Sequence, residues 1–423
     1  MNGWSYNMDF GLIGKNINYS YSQEIHRFFT NSRYEIVNLE LEELADFLKQ
    51  RNFKGLNVTI PYKQAVIPYL DCLDEIATKT GVVNTIVNEK GTLKGYNTDY
   101  YSFVRLLEQE KIELSGKKCL VLGSGATSKT VLEALKNKNT LVVDVASRLP
   151  QKGKVSYQSL SHQHYDIVIN TTPIGTYPEY NEAPVDITTI DQVEYLIDFI
   201  YNPLRTKLIR TAIKANIKTI NGLKLLVSQA YYARKLFDQK EYKETMIDEI
   251  AQKITQKKLN IVLIGMPYSG KTTLAHELAA KLHRQVIDTD ELIEKQVGET
   301  IRDIFIKEQE TGFRKIEKQV IGELKSEGNI IATGGGSVLD EDNMAKLSGE
   351  GIVFYLVCDK ESISFTKNTR PLLKNIDDWQ KLAGQREHLY VKYADFIIPF
   401  HASIEEKTND ICKKYWEYIK RGK

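Results

Sequence analysis

Cysteine is scarce in this sequence, and its spacing suggests neither a disulfide nor a metal site. The four cysteines lie far apart and show neither C-x-x-C nor metal-ligand spacing. We therefore interpret them as structural thiols of a protein in a reducing cytosol. The chain also lacks any run approaching the roughly 20 apolar residues of a membrane span, and its amino terminus has no basic region followed by a long apolar stretch. We expect a cytoplasmic protein that has no membrane partner.

An excess of one charge is also missing. The 57 lysines and arginines nearly balance 55 acidic residues, which gives a net charge of +2, and no basic block stands out. We therefore expect no nucleic-acid partner. With 423 residues, 42% of them hydrophobic and 26% charged, the chain is typical of a soluble globular protein of two or three domains.

The strongest motif lies in the second half of the chain. Residues 265–273, GMPYSGKTT, fit G-x-x-x-x-G-K-[ST] and lie between a strand-type run and a stretch with helical spacing. Glycines let successive backbone N–H groups point at one spot, and the following helix adds the positive end of its dipole. By this geometry Lys271 would reach the β- and γ-phosphates of a nucleotide, and the Thr272 hydroxyl would ligate Mg²⁺. The motif predicts a nucleotide-binding phosphotransferase domain.

Polar residues follow the predicted strands of this half. One strand ends in Asp288 and Asp290, and a later strand runs into the glycines at 334–336. The polar residues 366–369, just before Arg370, predict a mobile surface segment.

The first half of the chain has the pattern of two α/β domains. Short strands alternate with helices from Phe10 to Lys111. A strand at 118–122 then leads into a glycine-containing turn, and more strands follow as in a doubly wound dinucleotide-binding sheet. Ser128 holds the place of the third glycine of G-x-G-x-x-G, so the turn by itself does not distinguish a cofactor site from an ordinary strand-helix turn.

Two residues give conflicting signals about which dinucleotide would bind. Asp144 lies about where an acidic residue would bond the ribose 2′-hydroxyl of NAD, whereas Arg148 could clamp the 2′-phosphate of NADP. If Asp144 is buried within its strand, Arg148 decides the choice. We favour NADP.

Four separated blocks of the first half resemble the shikimate dehydrogenase family. They are FGLIG at 10–14 with Ser20 and Ser22, GLNVTIPYK at 55–63, GVVNT at 81–85 through GYNTD at 95–99, and NTTPIG at 170–175. Their order and spacing cover about residues 8–254. The resemblance implies NADPH-dependent reduction of 3-dehydroshikimate to shikimate.

The family's roles can be placed on matching positions of this sequence. The resemblance implies Lys63 and Asp99 as the catalytic pair. The substrate residues that it implies are Ser20, Ser22, Thr59, Asn84, Tyr201 and Gln229. The cofactor residues that it implies are Gly123, Ser124, Gly125, Ala126, Arg148 and Gly222. The chemistry agrees, because ketone reduction creates an oxyanion that an ammonium group held by a carboxylate can stabilise and protonate.

The sequence departs from the family pattern in the cofactor region. Ala126 takes a glycine position in the cofactor turn, and Lys224 replaces the second glycine of a Gly-Leu-Gly segment. Lys224 lies in a stretch that the resemblance places near the nicotinamide.

Residues 259–420 resemble shikimate kinase, which implies ATP as the phosphoryl donor and Mg²⁺ as its metal. The nucleotide residues that the resemblance implies are Gly265, Ser269, Gly270, Lys271, Thr272 and Thr273. The shikimate residues that it implies are Arg314, Gly335, Gly336 and Arg386. Asp290 would be the catalytic base, Asp288 would contact the Mg²⁺ shell beside Thr272, and Arg370 would close over both substrates from a lid.

We therefore predict an α/β chain that carries two consecutive activities, shikimate dehydrogenase and shikimate kinase. The predicted domains are a substrate-binding α/β domain at 1–111 with a contribution from 223–254, a Rossmann NADP-binding domain at 112–254, a linker at 255–258, and a P-loop kinase domain with a parallel sheet at 259–423. Two alternatives stay open. In one, the kinase is fused to an inactive or quinate-specific dehydrogenase-like domain; in the other, the chain is a ligand-sensing regulatory protein.

Overall fold

The computed structural model describes residues 8–136, 138–149, 153–359, 375–400 and 402–421. Its internal contacts divide the chain into two compact units, Met1–Ile254 and Thr255–Lys423. Both units are α/β, as predicted. In the described ranges no helix has the length and apolar character needed to cross a lipid bilayer.

The first unit begins with a mixed sheet of six strands in the order β2-β1-β3-β5-β6-β4. The strands are β1 (Phe10–Gly14), β2 (Tyr34–Asn38), β3 (Gly55–Val58), β4 (Cys72–Leu73), β5 (Thr85–Glu89) and β6 (Thr92–Tyr96). The helices of this part are α1 (Ser22–Arg27), α2 (Leu41–Gln50), α3 (Glu75–Thr80) and α4 (Thr98–Gln109). Strand β1 is buried along its whole length and pairs in parallel with β2 and β3, whereas β5 runs antiparallel to β3 and β6.

The second part of this unit is a parallel sheet in the order β12-β11-β10-β7-β8-β9. Its strands are β7 (Lys118–Leu122), β8 (Val142–Ser147), β9 (Val155–Ser156), β10 (Ile167–Asn170), β11 (Tyr195–Asp198) and β12 (Lys218–Ile220). Its helices are α5 (Ala126–Leu135), α6 (Lys207–Lys214), α7 (Leu223–Asp238) and α8 (Met246–Lys258). The order reverses between β7 and β10, and in such sheets ligands bind beyond the carboxyl ends of the strands at this switch point.

Helix α7 returns from the second sheet to the first one. It contacts α1, α4 and β5, and its buried face includes Gln229. Helix α8 follows, and the residues that were predicted as a linker, 255–258, form its last turn.

The second unit contains a parallel sheet in the order β14-β15-β13-β16-β17. Its strands are β13 (Asn260–Ile264), β14 (Val286–Asp288), β15 (Ile330–Ala332), β16 (Gly351–Leu356) and β17 (Phe396–Ile398). Its helices are α9 (Lys271–Leu282), α10 (Thr289–Val297), α11 (Ile301–Glu323), α12 (Glu341–Glu350), α13 (Ile376–Tyr393) and α14 (Ile404–Arg421). The central strand β13 is fully buried and leads directly into the predicted phosphate loop, and α11 is kinked at Gln309.

Candidate active sites

One cavity of the first unit brings together residues from both of its sheets. The predicted catalytic pair and all predicted substrate residues of this unit line it: Lys63, Asp99, Ser20, Ser22, Thr59, Asn84, Tyr201 and Gln229. Most of them lie in loops or at the first residues of helices, where side chains can point at a ligand without interrupting the sheets. We call this space the Lys63 cavity.

Lys63 and Asp99 form an ion pair on the wall of the Lys63 cavity. Lys63 Nζ lies 2.7 Å from Asp99 Oδ2, and each side chain keeps 14% of its surface exposed. Asp99 lies in the first turn of α4, where the positive end of the helix dipole stabilises a carboxylate. Asn84 holds this turn in place, because its Oδ1 accepts a hydrogen bond of 2.7 Å from the backbone N–H of Thr98. The pair can therefore hold an ammonium group against a ligand and deliver a proton to it.

Three hydroxyl groups form a chain on another part of the cavity wall. Tyr201 Oη donates to Ser20 Oγ at 3.4 Å, and Ser20 Oγ donates to Ser22 Oγ at 3.0 Å. Burial raises the pKa of Tyr201, so that its phenol stays a neutral hydrogen-bond donor. Neutral hydroxyl donors suit the carboxylate of a small ligand.

Two amide side chains complete the polar wall of this cavity. Gln229 Nε2 donates to the carbonyl of Leu226 at 3.0 Å. Asn57, which sequence reasoning missed, accepts a hydrogen bond from Tyr34 Oη at 2.8 Å and donates one to Thr85 Oγ1 at 3.1 Å. The signal for it was its position two residues before a predicted substrate residue, and hence on the same side of the extended chain.

A second cavity lies at the switch point of the parallel sheet, beyond β7 and β10. Four of the predicted cofactor residues line it: Gly123, Ser124, Gly125 and Arg148. We call it the Arg148 cavity. Gly123 has a φ of 99°, and a Cβ there would lie 3.0 Å from Thr171 Oγ1, so only glycine fits the turn. Of the other two predicted cofactor residues, Ala126 is the first residue of α5 and Gly222 lines the Lys63 cavity.

The two cavities meet at one segment of the chain. Thr171, Thr172 and Pro173, which follow β10, line both of them. A dinucleotide whose phosphates lie at the Gly123 turn could therefore reach a ligand that is held by Lys63.

The structure also bears on the conflict between Asp144 and Arg148. Asp144 lies inside β8 but is only half-buried, so the burial condition is met in part. Its Oδ2 accepts a hydrogen bond of 2.8 Å from Tyr165 Oη. Arg148 follows the end of β8 and lines the Arg148 cavity together with Lys154 and Tyr157. These last two residues were missed by sequence reasoning, because Lys154 and Tyr157 lie beyond the predicted strand with no motif to mark them. Two cations thus face this cavity, which favours a phosphate.

The Lys224 ammonium group is paired with carboxylates and lines neither of these two cavities. Its Nζ forms an ion pair of 2.6 Å with Glu110, at the end of α4, and lies 4.0 Å from Asp248 of α8. The ammonium group is therefore held by carboxylates at the end of α4 and in α8.

The phosphate loop of the second unit has the predicted form. Gly265 and Gly270 have φ angles of 149° and 81°, which favour glycine. Lys271 Nζ donates to the carbonyls of Gly265 and Met266, each at 2.9 Å, and it lies 3.4 Å from Ser269 Oγ. The lysine is therefore held across its own loop, at the start of α9.

A third cavity, the phosphate-loop cavity, opens above this loop. The predicted residues that line it are Gly270, Lys271, Thr272, Thr273, Asp288 and Asp290. Tyr268 lines it too, with an unusual φ of 72° for a bulky residue, and sequence reasoning gave no role to this side chain.

The donor set in this cavity fits Mg²⁺. Thr272 Oγ1 donates to Asp288 Oδ2 at 2.7 Å, so that a hydroxyl and a carboxylate converge beside the loop. Magnesium prefers hard oxygen ligands and keeps positions for water and substrate phosphates, so one or two protein ligands are enough. Among the described residues there is no cluster of three or more histidine, cysteine or acidic side chains that would make a complete protein cage.

The glycine triplet after β15 allows charged side chains to approach the backbone. A Cβ on Gly334 would lie 2.6 Å from Asp290 Oδ1, and a Cβ on Gly336 would collide with the Arg314 guanidinium. The carbonyl of Gly335 accepts a hydrogen bond of 3.2 Å from Arg386 Nη1. The predicted base and both predicted arginines therefore meet around this triplet.

The two arginines form a buried cationic site. Arg314 Nη1 donates to Glu317 Oε2 at 2.7 Å. Burial opposes the charge of Arg314, but the charges and hydrogen bonds of Glu317 and Glu310 together outweigh burial and raise its pKa. Burial lowers the pKa of Arg386, and the neighbouring charge of Arg314 lowers it further. Within the described part of the chain, the Nε atoms of Arg314 and Arg386 have no hydrogen-bond partner. Two buried N–H donors on cations are suited to a carboxylate.

One buried carboxylate supports this cationic site and was not singled out as a site residue. Glu317 is fully buried, and its Oε1 accepts a hydrogen bond of 2.6 Å from Ser337 Oγ. The remaining predictions of this unit, Arg370 and the surface segment 366–369, lie outside the described residues.

Comparison with protein families agrees with this geometry. Residues 12–86 match the model of the shikimate dehydrogenase substrate-binding domain, and residues 267–419 match that of shikimate kinase. A shikimate dehydrogenase (NADP(+)) of Clostridium botulinum is 37% identical over 241 residues, which cover 53% of this chain and 93% of that protein. The chain belongs to the shikimate dehydrogenase family. A family member from Caldanaerobacter subterraneus is 36% identical over 253 residues, which cover 53% of this chain and 89% of that one.

Solved structures give the same result for the dehydrogenase part. A chorismate mutase/shikimate 5-dehydrogenase fusion protein from Clostridium acetobutylicum has a TM-score of 0.55 and 34% identity, covering 58% of this chain and 96% of that one. Shikimate 5-dehydrogenase from Thermus thermophilus, in complex with NADP(H) and shikimate, has a TM-score of 0.52 and 27% identity, covering 58% and 98% of the two chains. The predicted order, a shikimate dehydrogenase followed by a shikimate kinase, is confirmed.

Proposed function

We propose that the chain is a bifunctional enzyme that reduces 3-dehydroshikimate to shikimate with NADPH and phosphorylates shikimate at its 3-hydroxyl with ATP. The observation that carries the proposal is the junction of the Lys63 and Arg148 cavities. The Lys63–Asp99 ion pair, with its atoms 2.7 Å apart, lines the same cavity as the three hydroxyl groups described above. This cavity adjoins the Arg148 cavity, which two cationic side chains line.

In the first unit the chain supplies binding groups and a proton. Bound NADPH would supply a hydride to the ring ketone. Ser20, Ser22 and Tyr201 hold the substrate carboxylate, and Thr59, Asn84 and Gln229 orient the ring hydroxyls. Lys63 Nζ donates its proton to the ketone oxygen as negative charge develops there, and Asp99 keeps the ammonium group in place.

In the second unit the chain aligns two anionic substrates. Arg314 and Arg386 bind the shikimate carboxylate, and Asp290 accepts the proton of the attacking hydroxyl. Lys271 and the backbone N–H groups of the loop hold the β- and γ-phosphates. Mg²⁺ at Thr272 and Asp288 would neutralise charge on those phosphates, and Arg370 would add a further positive charge.

The first activity is tested by giving the purified chain shikimate and NADP⁺ without ATP, with NAD⁺ in parallel, and following nicotinamide absorbance. We expect a shikimate-dependent signal with NADP⁺ that is lost in Lys63→Ala. The Lys63→Ala protein should still form ADP from ATP when shikimate is present, which shows that its second unit is folded and active. A flat trace with both dinucleotides from a chain that makes ADP would leave a kinase with an inactive or differently specific partner.

Two further points complete the proposal. The contacts of α7 with α1, α4 and β5 support the assignment of residues 223–254 to the substrate-binding domain. We also propose a cytoplasmic location, where NADPH and ATP are both available.

A further inference from the structure

Two tyrosine rings pack against each other beside the Lys63 cavity. Tyr19 belongs to the loop between β1 and α1, and it lines the cavity. Tyr177 belongs to the loop that follows β10, next to Thr176, which also lines the cavity. The two ring centroids are 6.5 Å apart and the ring planes are inclined by 40°, which is within the range at which aromatic rings attract each other.

The backbones of both tyrosines are tied to the same residue. Asn202 Nδ2 donates to the carbonyl of Tyr19 at 3.3 Å, and the carbonyl of Asn202 accepts from the N–H of Tyr177 at 2.9 Å. Asn202 follows Tyr201, whose hydroxyl contacts Ser20 inside the cavity. A movement of either loop therefore changes contacts with the residues that hold the ligand.

Tyr177 is only partly buried and packs against two aromatic rings. The side chain is 44% exposed, although a tyrosine ring of this size gains most when it is fully buried. The Tyr177 ring packs on Tyr19 from the other sheet and edge-to-face on the buried Tyr180, with centroids 5.9 Å apart, so Tyr180 holds it beside the cavity.

We propose that Tyr19 and Tyr177 form an aromatic clasp that closes the Lys63 cavity over its ligand. The proposal rests on the dehydrogenase function proposed above and adds a determinant of substrate affinity to it. The tyrosines are positioning residues: the clasp retains shikimate or 3-dehydroshikimate and excludes water, while Lys63 and Asp99 perform the proton transfer.

The test measures dehydrogenase kinetics in Tyr19→Ala, Tyr177→Ala and the double variant. We expect each single change to raise KM for shikimate about 3- to 10-fold while kcat keeps at least about half its value, because the catalytic pair is untouched. Since the two rings close the cavity as a pair, the loss in the double variant should be well below the sum of the two single losses. Tyr19→Phe and Tyr177→Phe keep the rings and should stay within about two-fold of the parent.

Other results would overturn the clasp. They are an unchanged KM in the alanine variants, additive losses in the double variant, a loss in the phenylalanine variants, or a fall in kcat at constant KM. The retained dehydrogenase kcat shows that the first unit is folded, and the kinase KM for shikimate, measured on the same samples, should not change.

A binding measurement separates failure of the clasp from failure of the dehydrogenase function. Calorimetric titration with shikimate, in chains that also carry Arg386→Ala to remove the second shikimate site, should show the same 3- to 10-fold loss of affinity without turnover. If the parent has no dehydrogenase activity but the alanine variants still bind shikimate more weakly than the parent, the result would contradict the dehydrogenase activity and support the clasp. Equal affinity in parent and alanine variants would refute the clasp.

Discussion

Removal of the cations in the Arg148 cavity should change cofactor choice. We consider Arg148→Ala and Lys154→Ala, measured as kcat/KM with NADP⁺ and with NAD⁺ at saturating shikimate. A hydrogen bond between a charged side chain and a phosphate contributes about 1.5–3 kcal/mol, and about 1.4 kcal/mol corresponds to a tenfold change. Arg148 is exposed and Lys154 half-buried, so solvent screening places the loss in the lower part of that range.

We therefore expect each variant to lose about 10- to 30-fold in kcat/KM with NADP⁺ and less than about two-fold with NAD⁺. The reason is that NAD⁺ has no 2′-phosphate for these cations to bind. Asp144→Asn is the matched control: Asp144 is bonded to Tyr165 inside β8, so its charge should not affect either cofactor. Equal losses of kcat/KM with both dinucleotides would show that these cations shape the cavity and do not bind the 2′-phosphate. A change of kcat/KM with NAD⁺ in Asp144→Asn would support the competing interpretation, in which Asp144 bonds the ribose 2′-hydroxyl of NAD.

Three further predictions concern single groups. Asp198 is fully buried, and burial raises its pKa from 3.8 to about 6; its contribution to stability is therefore complete below pH 3.8 and is lost as the pH rises through about 6. The free energy of unfolding in urea is measured for Asp198→Asn and for the parent at pH 4 and at pH 7. Relative to the parent, the variant should become more stable by up to about 3 kcal/mol from pH 4 to pH 7. A difference in stability that is the same at both pH values would contradict this. Asp288→Asn keeps an N-terminal capping residue for α10 but loses the carboxylate beside Thr272. The Mg²⁺ concentration for half-maximal kinase rate should therefore rise about tenfold or more, with little change in thermal stability. An unchanged Mg²⁺ dependence would show that Asp288 does not contact the metal shell. Arg386→Lys keeps the positive charge but loses the planar guanidinium beside Arg314. In the kinase assay, KM for shikimate should therefore rise about 10- to 100-fold while KM for ATP stays constant. An equal rise in both KM values would indicate a general structural role of Arg386.

The sequence was most informative where chemistry depends on a local motif. The phosphate loop needs glycine at particular backbone angles followed by a helix, and Gly265 and Gly270 adopt such angles. Lys63 and Asp99 are 36 residues apart and form their ion pair only through the fold. Their pairing was therefore available from family resemblance and not from spacing.

Other features could not be read from the sequence, because they depend on how distant segments pack. Lys154 reaches the Arg148 cavity from the position just before the short edge strand β9, and no motif precedes it. The direction of Lys224 depends on Glu110, more than a hundred residues earlier in the chain. The contact between Tyr19 and Tyr177 joins loops of two different sheets, and no pattern along one segment can indicate such a contact.

The most direct test of the whole account supplies the purified chain with 3-dehydroshikimate, NADPH, ATP and Mg²⁺, and follows NADPH absorbance together with mass-spectrometric detection of phosphorylated product. The account predicts that NADPH is consumed without ATP, but that shikimate phosphorylated at the 3-hydroxyl forms only when NADPH and ATP are both present. Consumption of NADPH without any phosphorylated product, or phosphorylation of added shikimate without any reduction of 3-dehydroshikimate, would contradict the claim that one chain performs both reactions.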